Sequence, residues 1–473
     1  MRKTKIVCTI GPSCSDEFTL KKMCLAGMNV ARLNFSHGTH EDHQKNIDMI
    51  KNVRSELNVP LAIMLDTKGP EYRVGTFKNG SELLNDGDIF TFTTREVEGD
   101  NTIVSVSYKN LSAELSEGDK VLVNNGLLVF TVLETNETDI ICKVIEGGVI
   151  SNRKSMSFPG KVMNQVYLSE QDKKDILFGV RNDVEYIALS FVSNVQDVLD
   201  VKNYILENNN GKLDIGLIAK IENRAGIENI EEICSVCDGI MIGRGDLGVE
   251  IPFEEVPAIQ KNLITKCRLL GKRVITATEM LESMINNPRP TRAEISDVAN
   301  AVFDGTSAIM LSGETAAGKH PVLTVQTMSR IAEQAERSVD YAKEFYSSPA
   351  FKIHNSMDAI SHSVCAMSID IQAKAIVVSS MSGATVRMIS RFRSPVDIIG
   401  LSVNEKTWHQ LALSWGVLPV MCEVYPSLEV LFYTAKRMAK DRLNLKLGDK
   451  LIITGGSRTG ESGCTNTIRV EEI

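Results

Sequence analysis

The chain has 473 residues, 43% of them hydrophobic and 24% charged, and a formal net charge of -8, an ordinary globular composition in a chain long enough for two or three domains. The acidic balance argues against a nucleic-acid binder, which needs a basic surface, and no window is apolar enough for a membrane span or a signal-peptide core. Ten cysteines dispersed over this length indicate reduced thiols, so we expect a multidomain cytoplasmic protein that binds neither nucleic acid nor membranes.

Eight short apolar runs recur between residues 5 and 315, each turning polar at its C-terminal end and followed by a helical segment. Alternating strands and helices predict parallel pairing with right-handed crossovers, and a count of eight predicts closure into an α/β TIM barrel, the (β/α)8 fold. The predicted strands are Lys5–Ile10, Asn29–Ser36, Leu61–Thr67, Tyr186–Phe191, Ile215–Glu222, Gly239–Asp246, Arg273–Met280 and Ser307–Thr315.

Two other regions depart from this repeat. Residues 69–160, after the third strand, carry β-type patterning that predicts a β-rich domain inserted in a βα loop. Removing them leaves 1–68 and 161–340, about the 250 residues that this barrel usually needs. Residues 341–473 begin a new strand–helix alternation, which predicts a C-terminal open-sheet α/β domain.

Polar residues at the strand ends are the first candidates for an active site, because in this barrel the site lies at the C-terminal face. Side chains alternate along a strand, so Arg32, Asn34 and Ser36 should share one side of the second strand. Lys220 and Glu222 should share one side of the fifth, about 7 Å apart. Further polar residues end other strands: Asp66, Thr67, Asp246, Thr278, Ser312 and Glu314.

Glu222 and Asp246 come from sequential strands and offer hard oxygen ligands without a neighbouring histidine or cysteine. That donor set favours magnesium or manganese over zinc. A metal between them would lie near Lys220, and phosphoryl transfer depends mainly on positioned cations. The strand ends therefore indicate phosphate chemistry with a divalent metal.

Two glycine-rich segments imitate nucleotide-binding motifs. Gly313–Lys319 matches a Walker A motif up to its last position, where His320 replaces the hydroxyl residue that would bind magnesium. Gly243–Gly248 fits a dinucleotide fingerprint, but Asp246 occupies its interior. We expect neither segment to bind nucleotide in the way that its motif suggests.

Three histidines, His37, His40 and His43, resemble a metal cluster. Their spacing drifts around a helix, so they cannot all face one point. We expect His40 and His43 to be exposed and only His37 to lie near the mouth of the barrel.

Seven motifs spread over the barrel region together resemble the pyruvate kinase family. They are Thr9–Pro12, Asn29–Gly38, Leu65–Glu71, Ile218–Asn223, Arg244–Gly248, Ala277–Met284 and Met310–Thr315. The resemblance implies a glycolytic enzyme that moves phosphate from phosphoenolpyruvate to ADP, giving pyruvate and ATP, with Mg²⁺ or Mn²⁺ and K⁺. It also implies a homotetramer.

The same resemblance implies roles for the metal and phosphate residues. Glu222 and Asp246 would bind the divalent metal, Lys220 would stabilise the phosphoryl group and the enolate, and Arg32 would hold phosphate. Glu71 is the residue that accompanies K⁺ dependence in the family. The implied K⁺ ligands are Asn34, Ser36, Asp66 and Thr67.

The remaining implied roles concern the substrate carboxylate, the proton and the nucleotide. Thr278 and the backbone amides of Gly245 and Asp246 match the carboxylate site. Thr278, Ser312 and Glu314 would lie near the proton path to the enolate, with the donor left open. The implied nucleotide contacts are Pro12, Asn34, His37 and Arg73, the last of which opens the inserted domain, expected to act as a lid.

Three positions depart from the family pattern. Glu279 stands where the family commonly has glutamine, and we expect its charge to alter metal or substrate affinity without abolishing turnover. Gly243 stands where alanine is common. Asp42 replaces an aromatic residue that some members place near the adenine.

In the third domain, Ser379–Thr385 lies between a strand and a helix start, where free amides favour an anion. A plain turn that caps the helix is the competing interpretation. The resemblance favours an effector site for fructose 1,6-bisphosphate, with AMP or ribose 5-phosphate as alternatives. The candidate effector residues are Ser379, Ser380, Ser382, Gly383, Thr385 and Arg458.

Two other functions were weighed. One is another barrel enzyme acting on phosphoenolpyruvate or a keto acid, such as a lyase, which release of ATP would distinguish. The other is a non-catalytic sugar-phosphate sensor on the same fold. A sensor should have lost Lys220, Glu222 or Asp246, and all three are present.

Overall fold

The computed structural model describes residues 2–161, 163–347, 351–456 and 465–473. The first strands and helices alternate as the sequence predicts. Thr39 begins the second helix with a capping box that Asp42 completes, so Asp42 serves the helix start. These elements are β1 (Lys5–Thr9), α1 (Glu17–Ala26), β2 (Val30–Asn34), α2 (His40–Leu57) and β3 (Ala62–Asp66).

A β-rich insert follows β3. Seven of its strands form one sheet in the order β4-β12-β8-β9-β10-β6-β7, and β5 pairs with β11. Its own buried core includes Phe90, Phe92 and Phe130. The elements are β4 (Tyr72–Arg73), β5 (Ser81–Leu84), β6 (Ile89–Thr93), β7 (Ile103–Ser105), α3 (Leu111–Glu114), β8 (Lys120–Val123), β9 (Leu128–Thr135), β10 (Asp139–Glu146), β11 (Gly148–Ser151) and β12 (Ser155–Ser157).

Five more strands then complete a closed parallel barrel in the order β1-β17-β16-β15-β14-β13-β3-β2. The strands are β13 (Tyr186–Leu189), β14 (Gly216–Ile221), β15 (Gly239–Gly243), β16 (Arg273–Ala277) and β17 (Ala308–Leu311). The helices are α4 (Glu170–Arg181), α5 (Val195–Asn208), α6 (Arg224–Glu228), α7 (Ile230–Val236), α8 (Arg244–Glu250), α9 (Val256–Leu269), α10 (Arg292–Phe303), α11 (Gly313–Ala316) and α12 (Pro321–Arg337), with 3-10 turns at Phe253–Glu255 and Glu282–Ile285.

The C-terminal part is an open α/β sheet in the order β20-β19-β18-β21-β22. The last strand, which the sequence patterning did not reveal, pairs antiparallel with β21. The elements are α13 (Tyr341–Ser347), α14 (Ser356–Asp370), β18 (Ala375–Ser379), α15 (Ala384–Ser390), β19 (Asp397–Ser402), α16 (Glu405–Gln410), a 3-10 turn at Leu411–Leu413, β20 (Val417–Met421), α17 (Leu428–Leu443), β21 (Lys450–Gly456) and β22 (Thr465–Glu472).

The C-terminal sheet domain closes the floor of the barrel, opposite the mouth. Leu413 is fully buried in the apolar cluster that fills the barrel interior, together with Val7 and Met310. Lys5, at the start of β1, donates from Nζ to the Val417 carbonyl at 2.6 Å. The barrel core is therefore completed by a side chain from the third domain.

The predicted fold class is confirmed: a closed eight-stranded parallel barrel, a β-rich insert after the third strand and a C-terminal open sheet. The barrel strands end earlier than predicted. Arg244 already begins α8, and Thr278 and Glu279 have left-handed backbones, with φ of 68° and 55°, that stop β16. None of the helices in the described part of the chain combines the length and apolar character that a membrane span requires.

Candidate active site

A line of charges crosses the barrel mouth from β2 through β3 to β14. Arg32 Nε lies 2.6 Å from Asp66 Oδ2, and Lys220 Nζ lies 3.1 Å from Asp66 Oδ1. Burial would raise the pKa of Asp66, but Arg32 and Lys220 outweigh it and lower that pKa. The fully buried Asp66 carboxylate therefore stays charged and holds both cations in place.

Lys220 is fixed by three groups. Its Nζ lies 3.1 Å from Glu222 Oε1 as well as from Asp66, and it donates to Ser190 Oγ at 2.6 Å. Burial would lower the pKa of Lys220, but the two carboxylates outweigh it and raise that pKa. The ammonium group thus keeps its charge at the centre of the mouth despite its burial.

Glu222, just after β14, and Asp246, in the first turn of α8, form a pair of acidic side chains at the barrel mouth. Desolvation raises the pKa of both, and each also feels other negative charges nearby; for Glu222, which is 1% exposed, the value reaches about 7. The Phe191 amide donates to Glu222 Oε2 at 2.8 Å and fixes its orientation. Two oxygen donors this close favour a shared cation or a shared proton.

Gly243 leaves the space that Glu222 occupies. A Cβ at this position would lie 2.6 Å from Glu222 Oε1 and 2.7 Å from its Cγ. The departure from the common alanine is thus matched to the position of the Glu222 side chain in this chain.

A corner of the candidate site lies where α8 meets the end of β16. The Gly245 amide donates to Thr278 Oγ1 at 2.9 Å, which in turn donates to the Ala277 carbonyl at 2.6 Å. Arg244 donates from Nη2 to the Thr278 carbonyl at 2.7 Å and forms an ion pair with Asp297 at 2.7 Å. This arrangement brings a hydroxyl and helix-start amides to one point, as an anionic carboxylate requires.

The residues that follow β17 stabilise this corner. The fully buried Glu314 accepts from the Leu281 amide at 3.1 Å and from the Ser312 amide at 2.7 Å. The Ser312 hydroxyl is buried and has no hydrogen-bond partner among the described residues. Glu314 therefore serves to join two strand-end loops, while Ser312 offers an unused hydroxyl.

The predicted monovalent-cation residues lie at the ends of β2 and β3. Asn34 Oδ1 accepts from the Ser36 amide at 3.2 Å, and Thr67 Oγ1 accepts from the Ser190 amide at 3.3 Å. Ser190 also donates to the Thr67 carbonyl at 2.6 Å. Ser190 Oγ also lies 3.2 Å from Asp66 Oδ1, and Asn34 is opposite Asp66 in the register of β2 and β3.

Two of the predicted nucleotide residues, Pro12 and His37, are exposed at the rim. Arg73 pairs with Glu71 and donates to the Arg153 carbonyl at 2.7 Å, so its contacts lie at the entrance to the insert. The second oxygen of Glu71, Oε2, is buried without a hydrogen-bond partner among the described residues.

The expectation that His40 and His43 are exposed is wrong. His43 is 7% exposed, donates from Nε2 to the His37 carbonyl at 2.9 Å and stacks on Phe35 with ring centroids 3.9 Å apart. His40 is half-buried and lies 2.6 Å from Asp175. Both rings pack between α2 and α4 because Phe35 and Phe178 offer them aromatic partners.

Ser190 and Phe191 are site residues that the sequence reasoning missed. Ser190 ends a predicted strand with a polar side chain, so the rule applied to the other strands points to it as well. Phe191 has a left-handed backbone, with φ of 57°, which turns its amide toward Glu222. No sequence pattern marks that conformation in a non-glycine residue.

The predicted effector loop joins β18 to α15. Gly383 precedes the helix in a left-handed conformation, with φ of 71°. Arg387 donates to the Ser382 carbonyl at 2.9 Å, and the hydroxyls of Thr385 and Thr465 lie 2.6 Å apart. Ser379 ends the strand and Ser380 follows it; Arg458 lies outside the described residues.

Comparisons of the chain with known proteins, by sequence and by structure, lead to one family. A family model for the barrel domain of pyruvate kinase matches residues 1–325, and one for its alpha/beta domain matches residues 358–471. A pyruvate kinase of Clostridium perfringens is 45% identical over 479 residues, covering all of both chains. One of Staphylococcus epidermidis is 46% identical over all of this chain and 81% of its own.

Among solved structures, a pyruvate kinase from Cryptosporidium parvum superimposes with a TM-score of 0.94 at 39% identity. The match covers 100% of this chain and 96% of that one. The chain therefore belongs to the pyruvate kinase family of transferases.

Proposed function

We propose that this enzyme transfers the phosphoryl group of phosphoenolpyruvate to ADP, giving pyruvate and ATP, with a divalent metal at Glu222 and Asp246 and K⁺ beside Asp66. The observation that carries the proposal is the Lys220 ammonium, held 3.1 Å from both Asp66 and Glu222 at the barrel mouth. A fixed cation of this kind stabilises the charge that spreads over a phosphoryl group in transfer.

The donor set at Glu222 and Asp246 fits magnesium or manganese. Two carboxyl groups with raised pKa values would be held in their charged form by a divalent cation. Magnesium sites that also hold substrate phosphate use one or two carboxylates. When bound, such an ion supplies positive charge against the phosphoryl oxygens.

The chain's own residues would orient phosphoenolpyruvate between two cationic or donor-rich points. Arg32 and Lys220 face its phosphate. Thr278 and the amides of Gly245 and Asp246 receive its carboxylate, which replaces the internal bond between Gly245 and Thr278. Thr278, Ser312 and Glu314 are the groups nearest the proposed proton path, and among them the Ser312 hydroxyl is buried without a hydrogen-bond partner in the described part of the chain.

Potassium would be held by Asn34, Ser36, Asp66 and Thr67, with Glu71 close by. Glu71 Oε2 is buried, accepts no hydrogen bond from the described residues and lies 3.9 Å from the Lys68 ammonium, and a buried carboxylate of this kind supports a cation nearby. The nucleotide would lie along Pro12, Asn34 and His37, with Arg73 reaching it from the insert.

Regulation is proposed at the loop Ser379–Thr385, which would hold a phosphorylated effector together with Arg458. The left-handed Gly383 turns the chain into α15 and leaves the first helix amides free for an anion. A homotetramer in the cytoplasm is the proposed assembly and location.

A coupled assay tests the reaction and its ions together. Pyruvate and ATP should form only when phosphoenolpyruvate, ADP, Mg²⁺ and K⁺ are all present. Sugar phosphates should lower the phosphoenolpyruvate concentration that gives the half-maximal rate. Consumption of phosphoenolpyruvate without formation of ATP would indicate another barrel enzyme, such as a lyase. Full activity in potassium-free buffer would refute the K⁺ site, and no product under any condition would refute the reaction.

A further inference from the structure

We propose that Ser190 is a positioning residue that couples the proposed K⁺ site to Lys220. The inference rests on the proposed function, in which Asp66 and Thr67 hold K⁺ and Lys220 stabilises the phosphoryl group, and it adds a direct link between these two parts of the site. In this proposal Ser190 binds neither substrate nor ion, and it acts through the groups to which its hydroxyl is bonded.

The order of the barrel strands places Ser190 between the two parts. β13 pairs with β3 on one side and with β14 on the other, and Leu189, its last residue, lies opposite Ala219 in β14. Ser190 follows Leu189, so it comes beside Lys220 on one side and beside the end of β3 on the other. A short side chain at this position can reach both neighbouring strands.

The Ser190 hydroxyl bonds to both sides. Lys220 Nζ donates to Ser190 Oγ at 2.6 Å. An ammonium group has donors only, so the single proton of the hydroxyl stays available for an acceptor. Two acceptors lie within reach of Ser190 Oγ, the Thr67 carbonyl at 2.6 Å and Asp66 Oδ1 at 3.2 Å. With either acceptor, Ser190 connects an oxygen of a proposed K⁺ ligand to the Lys220 ammonium.

The surroundings hold the Ser190 hydroxyl in this place. Ser190 is 2% exposed, its amide donates to Thr67 Oγ1 at 3.3 Å, and its carbonyl accepts from the Tyr167 hydroxyl at 2.8 Å. Gly69 approaches so closely that a Cβ there would lie 2.9 Å from Ser190 Cβ. Ser190 therefore has little freedom to move away, and a shift of the residues that follow β3 must move it.

The balance of charge gives Lys220 a reason to need this neutral partner. Asp66 is fully buried and already pairs with Arg32 as well as with Lys220. A potassium ion at Asp66 would bring a third positive charge to one carboxylate and repel the Lys220 ammonium. The bond from Lys220 to the uncharged Ser190 oxygen would hold the ammonium in place against this repulsion.

The test compares Ser190→Ala with Ser190→Cys and with the control Ser193→Ala. A thiol is a weaker donor and acceptor than a hydroxyl, so Ser190→Cys should lie between the wild type and Ser190→Ala. Ser193 is a matched control because it lies in the same loop, and its hydroxyl bonds to the Phe191 carbonyl and to Asn223 instead.

Steady-state kinetics give the K⁺ activation constant, kcat and the KM for phosphoenolpyruvate. Binding of K⁺ without turnover is measured as the rise in melting temperature in potassium chloride over that in tetramethylammonium chloride at the same concentration, because an ion that binds the folded state stabilises it.

We expect Ser190→Ala to raise the K⁺ activation constant and to lower kcat about tenfold each, the size of effect seen when groups behind a metal ligand are removed. The KM for phosphoenolpyruvate should change little, because Arg32 and Thr278 keep the contacts described above. Such a split marks the loss of an interaction made in the transition state, whereas general loosening of the site would raise KM as well. The rise in melting temperature with K⁺ should shrink in Ser190→Ala and persist in Ser193→Ala.

A K⁺ activation constant and a rise in melting temperature equal to those of the wild type in Ser190→Ala would overturn the coupling. A loss in Ser193→Ala as large as that in Ser190→Ala would overturn it too. If Ser190→Ala did not fold, Ser190→Cys would decide by the same criteria. An active wild type that K⁺ neither activates nor stabilises would refute the proposed K⁺ site and the coupling with it. If the wild type were inactive, the proposed reaction would fail, and the melting temperatures would still decide whether Ser190 supports the ion.

Discussion

Lys220 remains charged in a buried site because its two carboxylate neighbours, Asp66 and Glu222, outweigh the cost of burial. The pKa of Glu222 is raised to about 7, because burial and the negative charge of Asp246 outweigh the effect of Lys220. One side chain thus links a fixed cation to the second carboxyl group of the proposed metal site. Small changes around Glu222 should therefore alter metal binding before they alter stability.

Gly243→Ala tests this sensitivity. The added methyl group would lie 2.6 Å from Glu222 Oε1, so the carboxylate must move. We expect the Mg²⁺ activation constant to rise by up to about tenfold, as for other disturbances behind a metal ligand, with little change in melting temperature. Gly248→Ala, where the nearest atom is 3.9 Å away, is the matched control. An unchanged activation constant in Gly243→Ala would contradict the argument.

Glu279→Gln tests the charge beside Thr278. The Glu279 side chain is exposed, so it should repel an anionic substrate weakly, by roughly 1 kcal/mol or less at contact distance in water. We expect the KM for phosphoenolpyruvate to fall about two- to fivefold at low salt and the difference to shrink at high salt, because exposed charges are screened. Identical kinetics of the two enzymes at low salt would rule this out.

The loop after β16 has a strained backbone, and a side chain of α8 holds it in place. Thr278 and Glu279 both have positive φ values, a conformation that costs non-glycine residues of order 1–3 kcal/mol each. Arg244, the first residue of α8, donates to the Thr278 carbonyl, and its ion pair with Asp297 anchors it to α10. The carboxylate corner is therefore kept in place by a side chain that need not touch the substrate.

Arg244→Ala should release this loop. We expect kcat/KM for phosphoenolpyruvate to fall on the order of a hundredfold, the usual consequence of misplacing a binding group by about 1 Å. Asp297→Asn leaves the carbonyl contacts of Arg244 intact, so it should lower kcat/KM much less. Steady-state kinetics of both variants check this, and equal losses would mean that the ion pair, not the loop geometry, matters.

The elements were predictable from the sequence where they repeat, and the exceptions have physical causes. Polar strand ends pointed to Lys220 and Glu222, which a period of two places on one side of their strand, whereas Asp246 lies in the first turn of α8 and not in the strand predicted to carry it. The burial of His43 could not be foreseen, since its stacking on Phe35 is a tertiary contact. The left-handed backbone of Phe191 could not be foreseen for the same reason, because the surrounding structure and not the residue type imposes this conformation.

At the scale of the whole molecule, the barrel and the C-terminal domain share one core. Leu413 fills the floor of the barrel interior, and nothing in its local sequence marks it for that position. Arg393, which follows α15, donates to the Ser307 hydroxyl at 3.1 Å, just before β17 begins. The third domain thus holds the lower ends of strands whose upper ends carry the proposed proton path.

Leu413→Ala measures how much the shared core contributes. Truncating a fully buried leucine should lower the free energy of unfolding by about 2–5 kcal/mol. Leu447→Ala, at a side chain that is 91% exposed, should change it by less than about 0.5 kcal/mol. Thermal and denaturant unfolding provide the measurement. A small effect at Leu413 would mean that the barrel floor collapses readily without it.

The contacts of the first strand with the last domain also bear on how the chain is made. Lys3 and Lys5 bond to Asp397 and to the Val417 carbonyl, 394 and 412 residues further on. At about 5–20 residues per second, a ribosome takes tens of seconds to supply those partners. During that time the floor of the nascent barrel stays uncovered, and the earliest strand has its neighbour β2 but not yet its contacts with the third domain.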